Sequence, residues 1–366
     1  MTEFFASVTP DSLLAATAAF FGFLLVLFLG SRILPGTNLL GVRNADGSQI
    51  SYRLNGFLLW LILVAVCALG TYKQLFSLGF LHTHFASLLV VVNIFAFTTT
   101  VLLYLKARGK KEELRSGPLG VIQDMFFGAE LNPSLFGVDL KMFSYRPSLM
   151  GLGLLNVSFA VVQYQKYGFI SQAMCIYQIF YFLYLCNYFQ FEYGMVYTWD
   201  IIAEKFGWML VWGDYVLVPF FYSLPGWYLV DRTEALPTWA IAGLAVLYTT
   251  GFILFRGSNE QKHQYKHNPK ATIWGKPAET VGGKLLVSGF WGIGRKLNYT
   301  GELLMYSAWS MTTGFGSVVP YILPLWLLCL FTHRAWRDEQ RCAEKYGPLW
   351  KEYCARASFR MFPFLY

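Results

Sequence analysis

With 366 residues, 55% of them hydrophobic and only 14% charged, the chain has too few charged side chains to coat a soluble globule of its size. Its mean hydropathy of +0.43, with apolar runs long enough to cross a bilayer, implies an all-α, polytopic integral membrane protein. A net charge of +8 scattered over short loops makes a poor nucleic-acid surface and fits a topological bias plus contact with anionic headgroups.

The first ten residues carry Glu3 and no basic residue, so the basic region of a cleavable signal is missing and the first span is expected to stay. Residues 13–30 hold no charge; further spans are predicted over 57–70, 85–105, 149–162, 173–189, 208–230, 239–255 and 303–331. The last is interrupted by Thr312-Thr313-Gly314-Phe315-Gly316 and by Pro320 and Pro324, which predicts a helical hairpin instead of one rod. On the ~20-residue criterion roughly eight to ten membrane segments are expected. Residues 106–115 hold five Lys and Arg and the tail beyond 331 is rich in both, whereas 71–84 hold only Lys73. The basic loops and the C-terminus are therefore placed on the cytoplasmic side. Cys67, Cys175, Cys186 and Cys329 fall in apolar spans and Cys342 and Cys354 in the tail, without CxxC or His/Cys ligand spacing, so neither a disulfide scaffold nor a metal site is supported. One membrane domain over 1–366 is expected, its polar chemistry concentrated in about 257–366.

At the end of the 239–255 span, Lys262 and Lys266 stand one helical turn apart on one face. Two ammonium groups at that spacing hold a phosphate or simply snorkel. In Ser288-Gly289-Phe290-Trp291-Gly292-Ile293-Gly294-Arg295-Lys296, three glycines let the backbone approach a ligand and Trp291 offers a stacking face. The spacing is not G-x-G-x-x-G and no strand–helix alternation surrounds it, which argues against a Rossmann domain. Farther on, Arg334, Arg337, Asp338, Arg341, Lys345 and Tyr346 recur at three- and four-residue steps, with Trp336, Trp350 and Tyr353 among them. Such a stripe suits a solvated cytoplasmic face, or a ligand with rings and phosphates such as a nicotinamide dinucleotide.

These segments, LLVSGFWGIGRKLNY at 285–299 and THRAWRDEQRCAEKYGPLWKEY at 332–353, do not stand alone. Leu34-Pro35-Gly36 with Asp46-Gly47 and Asn55-Gly56, Glu130-Leu131-Asn132-Pro133 with Asp139-Leu140-Lys141-Met142-Phe143, and Thr198-Trp199-Asp200-Ile201 with Phe206-Gly207-Trp208 precede them in order. Together they resemble the family of the sterol C14, C7 and C24 reductases and the membrane part of the lamin B receptor, over nearly the whole chain. The resemblance implies NADPH as cofactor. By match to that family, Lys262 and Lys266 would meet phosphates, the second being Lys where many members have Arg. Leu286, Trp291, Asn298 and Tyr299 would line the pocket with Asp338, Cys342, Ala343, Glu344, Lys345, Tyr346 and Tyr353, and Arg334 and Arg341 would sit close by. Gly294-Arg295-Lys296 departs from the Ala-Arg-His usual in C14 and C7 reductases.

An isolated sterol alkene is not polarised by a carbonyl, so a proton must arrive before hydride from NADPH. The proton donors to consider are Asp214, Glu192 and Tyr222, with Asp200, Tyr188 and Tyr193 beside them. Asp214 lies within a predicted span, where an ionisable group is either functional or a buried helix–helix hydrogen bond. Gln163 to Gly168, Tyr197 to Asp200, Arg295-Lys296 and Thr313 to Ser317 look like the C24(28) branch, and the expectation leans to that side-chain bond; the C7 and C14 ring bonds are the alternatives, suggested by Phe206 to Asp214 and by Glu130 to Pro133. A non-catalytic sterol-binding membrane protein is the alternative of another class. The expected location is the endoplasmic reticulum of a eukaryote or the inner membrane of a bacterium, with sterol and membrane lipids as partners and no nucleic acid.

Overall fold

The computed structural model describes residues 7–43, 47–110 and 114–366. Glu3, Asp46 and part of the 106–115 basic run lie outside them. Helix dominates at 69%, and strands are confined to short hairpins. The chain divides into two compact units, Met1–Asp231 and Arg232–Tyr366.

The first unit opens with α1 (Pro10–Ile33), which starts where Thr9 and Ser12 exchange side-chain and backbone hydrogen bonds and Pro10 fixes the first turn. An antiparallel hairpin of β1 (Thr37–Leu40) and β2 (Ser51–Leu54) leads into α2 (Gly56–Tyr72). Then α3 (Phe85–Gly109) packs against α1, and the short α4 (Gly117–Phe127) is fixed by Asp124, which accepts from the Arg115 amide at 2.8 Å and guanidinium at 2.7 Å. The centre of the unit is α5 (Leu140–Tyr167), buried over most of its length. Asp139 caps its first turn by accepting from the Met142 amide at 2.7 Å, and Gly168 ends it at φ 78°, a left-handed turn that favours glycine. The polar Gln163 is buried yet satisfied: it donates to the Leu229 carbonyl and accepts from the Ser171 amide at the start of α6 (Gln172–Gln190).

In the second unit, α7 (Thr238–His267) lies along α8 (Leu297–Met311). Gly251 and Gly301 permit the approach, because a Cβ at Gly301 would meet the Phe255 amide nitrogen at 2.4 Å and one at Gly251 the Gly301 carbonyl at 2.7 Å. Between them run two small hairpins, β3 (Thr272–Ile273) with β4 (Lys276–Pro277) and β5 (Thr280–Val281) with β6 (Leu285–Leu286). After α8 the chain turns at Thr312–Ser317 into α9 (Ile322–Tyr346), with Ser310 donating to the Pro320 carbonyl at 2.6 Å, and α10 (Pro348–Arg356) follows. The predicted hairpin is present.

Among the described residues, α1, α3, α5 and α7 are each long and apolar enough to cross a membrane. Other expected segments fall on shorter, more polar or broken helices. Helix α2 has only 17 residues, and α6 carries Gln172, Gln178, Asn187 and Gln190 among its 19. The 208–230 run is not one rod: Trp208–Trp212 is α-helical, Gly213–Phe221 π-helical and Leu224–Leu229 α-helical again, with Pro219 and Pro225 removing backbone donors.

Candidate functional site

Each unit gathers its own set of polar side chains. In the first, Glu192 is 4% exposed and fully engaged. One oxygen accepts from Arg146 at 3.0 Å and the other from the Gly56 amide at 2.9 Å, and Arg146 also donates to the Arg53 carbonyl at 2.9 Å. The group therefore ties α2, α5 and the β2 strand to its own loop. Asp214, on the π-helical segment, is 7% exposed and makes no hydrogen bond or ion pair among the described residues. Its neighbour Tyr215 meets the Ser144 hydroxyl at 3.0 Å, and Lys141, fully buried, donates to the carbonyls of Ile201 (2.9 Å) and Glu204 (2.7 Å). Asp200 accepts from Tyr145 at 3.1 Å. Tyr222 is 8% exposed, and the Tyr188 hydroxyl is buried without a partner. Lys141 and Arg146, absent from the sequence-based candidates, organise this polar cluster; a Lys and an Arg at the start of a long apolar helix were the signal.

The second set is built where α7 outruns the bilayer. Thirty residues span about 45 Å against about 30 Å of hydrocarbon, so its last turns project beyond it. There the Lys262 ammonium lies 4.7 Å from the Trp291 ring centroid, while Trp291 donates its indole N–H to the Ser258 carbonyl at 2.8 Å. Trp291 packs with Tyr265, Ile273 and Leu286, which places Leu286 beside it. Lys296 is ion-paired with Asp338 and sits 5.9 Å from the Tyr299 ring, which in turn stacks on Phe331 at 5.1 Å. Burial alone would raise the Asp338 carboxyl, but the charge and hydrogen bond of Lys296 outweigh it and hold that carboxyl below its usual range. Burial likewise acts to lower Lys296, yet Asp338 leaves it above its usual value.

Asn298 donates to Asn259 at 3.4 Å, and its own Oδ1 is buried with no hydrogen-bond partner. Tyr353 is buried with Val281, Val287 and Trp350, with Cys342 and Tyr346 packed against that cluster. Burial pushes the Tyr353 hydroxyl up. Ala343, Glu344 and Lys345 are exposed, Lys345 lying over the Tyr346 ring at 5.2 Å. Arg334 is half-buried, near enough for its charge to act on Tyr299, and Arg341 acts likewise on Asp338. Glu339 holds Arg295 at 2.8 Å and also pairs with Arg360. Sequence reasoning passed over Glu339 and Asn259, since nothing in their spacing announces partners about forty residues away.

These residues fit a nicotinamide dinucleotide. Lys262 and Lys266 have no carboxylate within ion-pair distance among the described residues, the Trp291 ring lies against Lys262, and the buried Asn298 oxygen is an unused acceptor.

Residues 4–366 match the ergosterol biosynthesis ERG4/ERG24 family. The chain is 42% identical to a Delta(14)-sterol reductase of Arabidopsis thaliana, over 93% of each protein. It is 37% identical to one of Methylotuvimicrobium alcaliphilum, over 100% of this chain and 86% of the relative, and 39% identical to one of Dictyostelium discoideum, over 94% and 76%. These names do not support the expectation of the C24(28) side-chain bond and fit the C14 alternative better. The structure shows why the residues behind it misled: Gln163 secures the α5–α6 turn, Thr313 donates to the Ser310 carbonyl at a helix end, and Arg295 and Lys296 hold Glu339 and Asp338. Helix ends, turns and ion pairs of this kind say little about which double bond is reduced. The chain belongs to the ergosterol biosynthesis ERG4/ERG24 family of sterol reductases, multi-pass membrane oxidoreductases that use a nicotinamide cofactor.

Proposed function

We propose that this chain reduces the C14 double bond of a sterol with NADPH. The observation that carries the reading is the full-length similarity to relatives named for that reaction. The bound cofactor supplies hydride to the carbon left electron-poor once the alkene is protonated. The chain's own residues do the rest. Lys262 and Lys266 take phosphate groups, including the 2′-phosphate that separates NADPH from NADH, and Arg334 and Arg341 add positive charge. Trp291 and Tyr299 present ring faces, Asn298 a vacant buried acceptor, and Lys296 with Asp338 a fixed dipolar edge. Leu286, Cys342, Tyr346 and Tyr353 form the apolar wall, and Ala343, Glu344 and Lys345 its exposed rim.

Asp214 is the proton donor this reading favours: it is buried, unpaired among the described residues, and placed on a π-helical segment, a feature frequent at functional sites. Both Glu192 oxygens are engaged, one with Arg146 and the other with the Gly56 amide, so it makes a poorer candidate, and Tyr222 is the second choice. The membrane is that of the endoplasmic reticulum or a bacterial inner membrane, with the C-terminus cytoplasmic.

Purified full-length protein is incubated separately with C14-, C7- and C24(28)-unsaturated sterols and NADPH deuterated at its transferable position. Label on one former C14 alkene carbon, with the other hydrogen from solvent, is expected; reduction of only the C7 or C24(28) bond overturns the choice. Asp214→Asn should lower kcat by about 10²–10⁴ while leaving NADPH affinity intact. Near-normal turnover in that variant would remove Asp214 from the mechanism.

A further inference from the structure

A cleft of about 300 Å³ opens in the first unit where the C-terminal end of α1, the β1–β2 hairpin and the N-terminal end of α5 meet, and none of the residues assigned above to the cofactor or to proton donation lines it. Arg32, Arg53 and Arg146 all line it. Arg146 is balanced by Glu192. Arg32 and Arg53 are exposed and donate only to the carbonyls of Phe136 and Arg32, with no carboxylate within ion-pair distance among the described residues. Asp139 is the single carboxylate of the lining, and one of its oxygens is committed to capping α5. Counting Asp139 and Glu192 against the three guanidinium groups leaves one positive charge in excess, to which the N-terminal end of the 28-residue α5 adds its partial charge. Ser51 and Asn38, both exposed in the lining, supply neutral donors.

The cleft also has an apolar edge. Ile33 and Phe136 are 72% and 74% exposed, and Leu25, Val26 and Leu29 continue an uncovered apolar surface along α1. A free anion has no need of such an edge, whereas the acyl chains of a lipid do. We propose that this cleft binds the phosphate group of an anionic phospholipid, its acyl chains lying along α1. Guanidinium groups suit a phosphate because their paired N–H donors match its oxygens.

Native mass spectrometry of the full-length protein tests this, with phosphatidylglycerol, phosphatidylcholine of the same acyl chains, and inorganic phosphate each added alone. Retention of phosphatidylglycerol well above phosphatidylcholine is expected. The double variant Arg32→Gln, Arg53→Gln should weaken it at least about tenfold with NADPH binding unchanged. Should that variant fail to fold, Asn38→Asp puts a carboxylate at an exposed strand position and must weaken phosphatidylglycerol binding as well. Equal retention of both lipids, unchanged binding in the variants, or inorganic phosphate binding as tightly as the lipid would overturn the proposal.

Discussion

At one place in the first unit the charge is closed off: Arg146 and Glu192, each with a side chain 5% exposed, use their bonds on one another, on the Gly56 amide and on the Arg53 carbonyl. In the second, cations exceed carboxylates around Trp291, and Lys262 and Lys266 reach solvent without an ion-pair partner among the described residues. The contrast separates two uses of charge in one membrane protein. A buried pair with every atom engaged holds chain segments in register; a cation left without an ion-pair partner beside a ring is free to meet an anion, as the proposed function has it.

Removing one charge from each place should therefore give opposite readouts. Arg146→Ala strands the Glu192 carboxylate in an apolar interior and should cost about 3–5 kcal/mol of stability, visible as a large fall in Tm of the detergent-solubilised protein. Replacing both partners, Arg146→Met with Glu192→Leu, should recover much of that loss, because no unpaired charge remains. A double variant as unstable as the single one would show that the Gly56 and Arg53 contacts, not the ion pair, hold the segments together.

The same operation on Lys262 sharpens the comparison. Lys262→Gln removes an exposed ammonium with no ion-pair partner, so stability should shift by no more than about 1 kcal/mol, the worth of its contact with the Trp291 ring. NADPH binding should weaken by about 1.5–3 kcal/mol if water is kept from the contact, and the preference over NADH should narrow. Titration calorimetry with both dinucleotides reads this directly. An unchanged NADPH affinity would return Lys262 to the role of a snorkelling side chain.

What the sequence made legible follows the same division. The charge-free run at 13–30 lies wholly inside α1, and Pro320 with Pro324 foretold the hairpin before α9, because apolar length and missing backbone donors are local properties. The π-helical stretch at Gly213–Phe221 was not legible: apart from Asp214 the run stays apolar through it, and Gly213 and Pro219 do not announce a change of helix type. Around the cofactor residues, composition announced rings and cations but not who pairs with whom. Lys296 finds Asp338 and Arg295 finds Glu339 more than forty residues away, through the fold of α8 against α9. The glycines misled in part. Gly289 sits at φ 62° with Gln261 and Ile273 in the place of a Cβ, and a Cβ on Gly292 would strike the Val287 carbonyl at 2.4 Å, so both serve close packing of the chain on itself.

The smallest effect concerns the pair that lies between these extremes, Lys296 with Asp338, whose side chains are 15% and 25% exposed. The Asp338 carboxyl is held below its usual value, so its share of stability is present above the unfolded-state pKa near 3.9 and is lost as pH falls through the lower folded value. Lys296 is raised, so its share is complete below an unfolded-state pKa near 10.4 and is lost as pH rises through the higher folded value. The stabilisation should thus be flat from about pH 5 to pH 9 and decline on both sides. Partial exposure limits it to about 1 kcal/mol. Melting curves of the wild type and of Asp338→Asn across pH 3–11 give the difference directly. A constant gap through neutrality that shrinks at both extremes is expected, and a gap that changes between pH 6 and 8 would mean that some group other than this pair sets it.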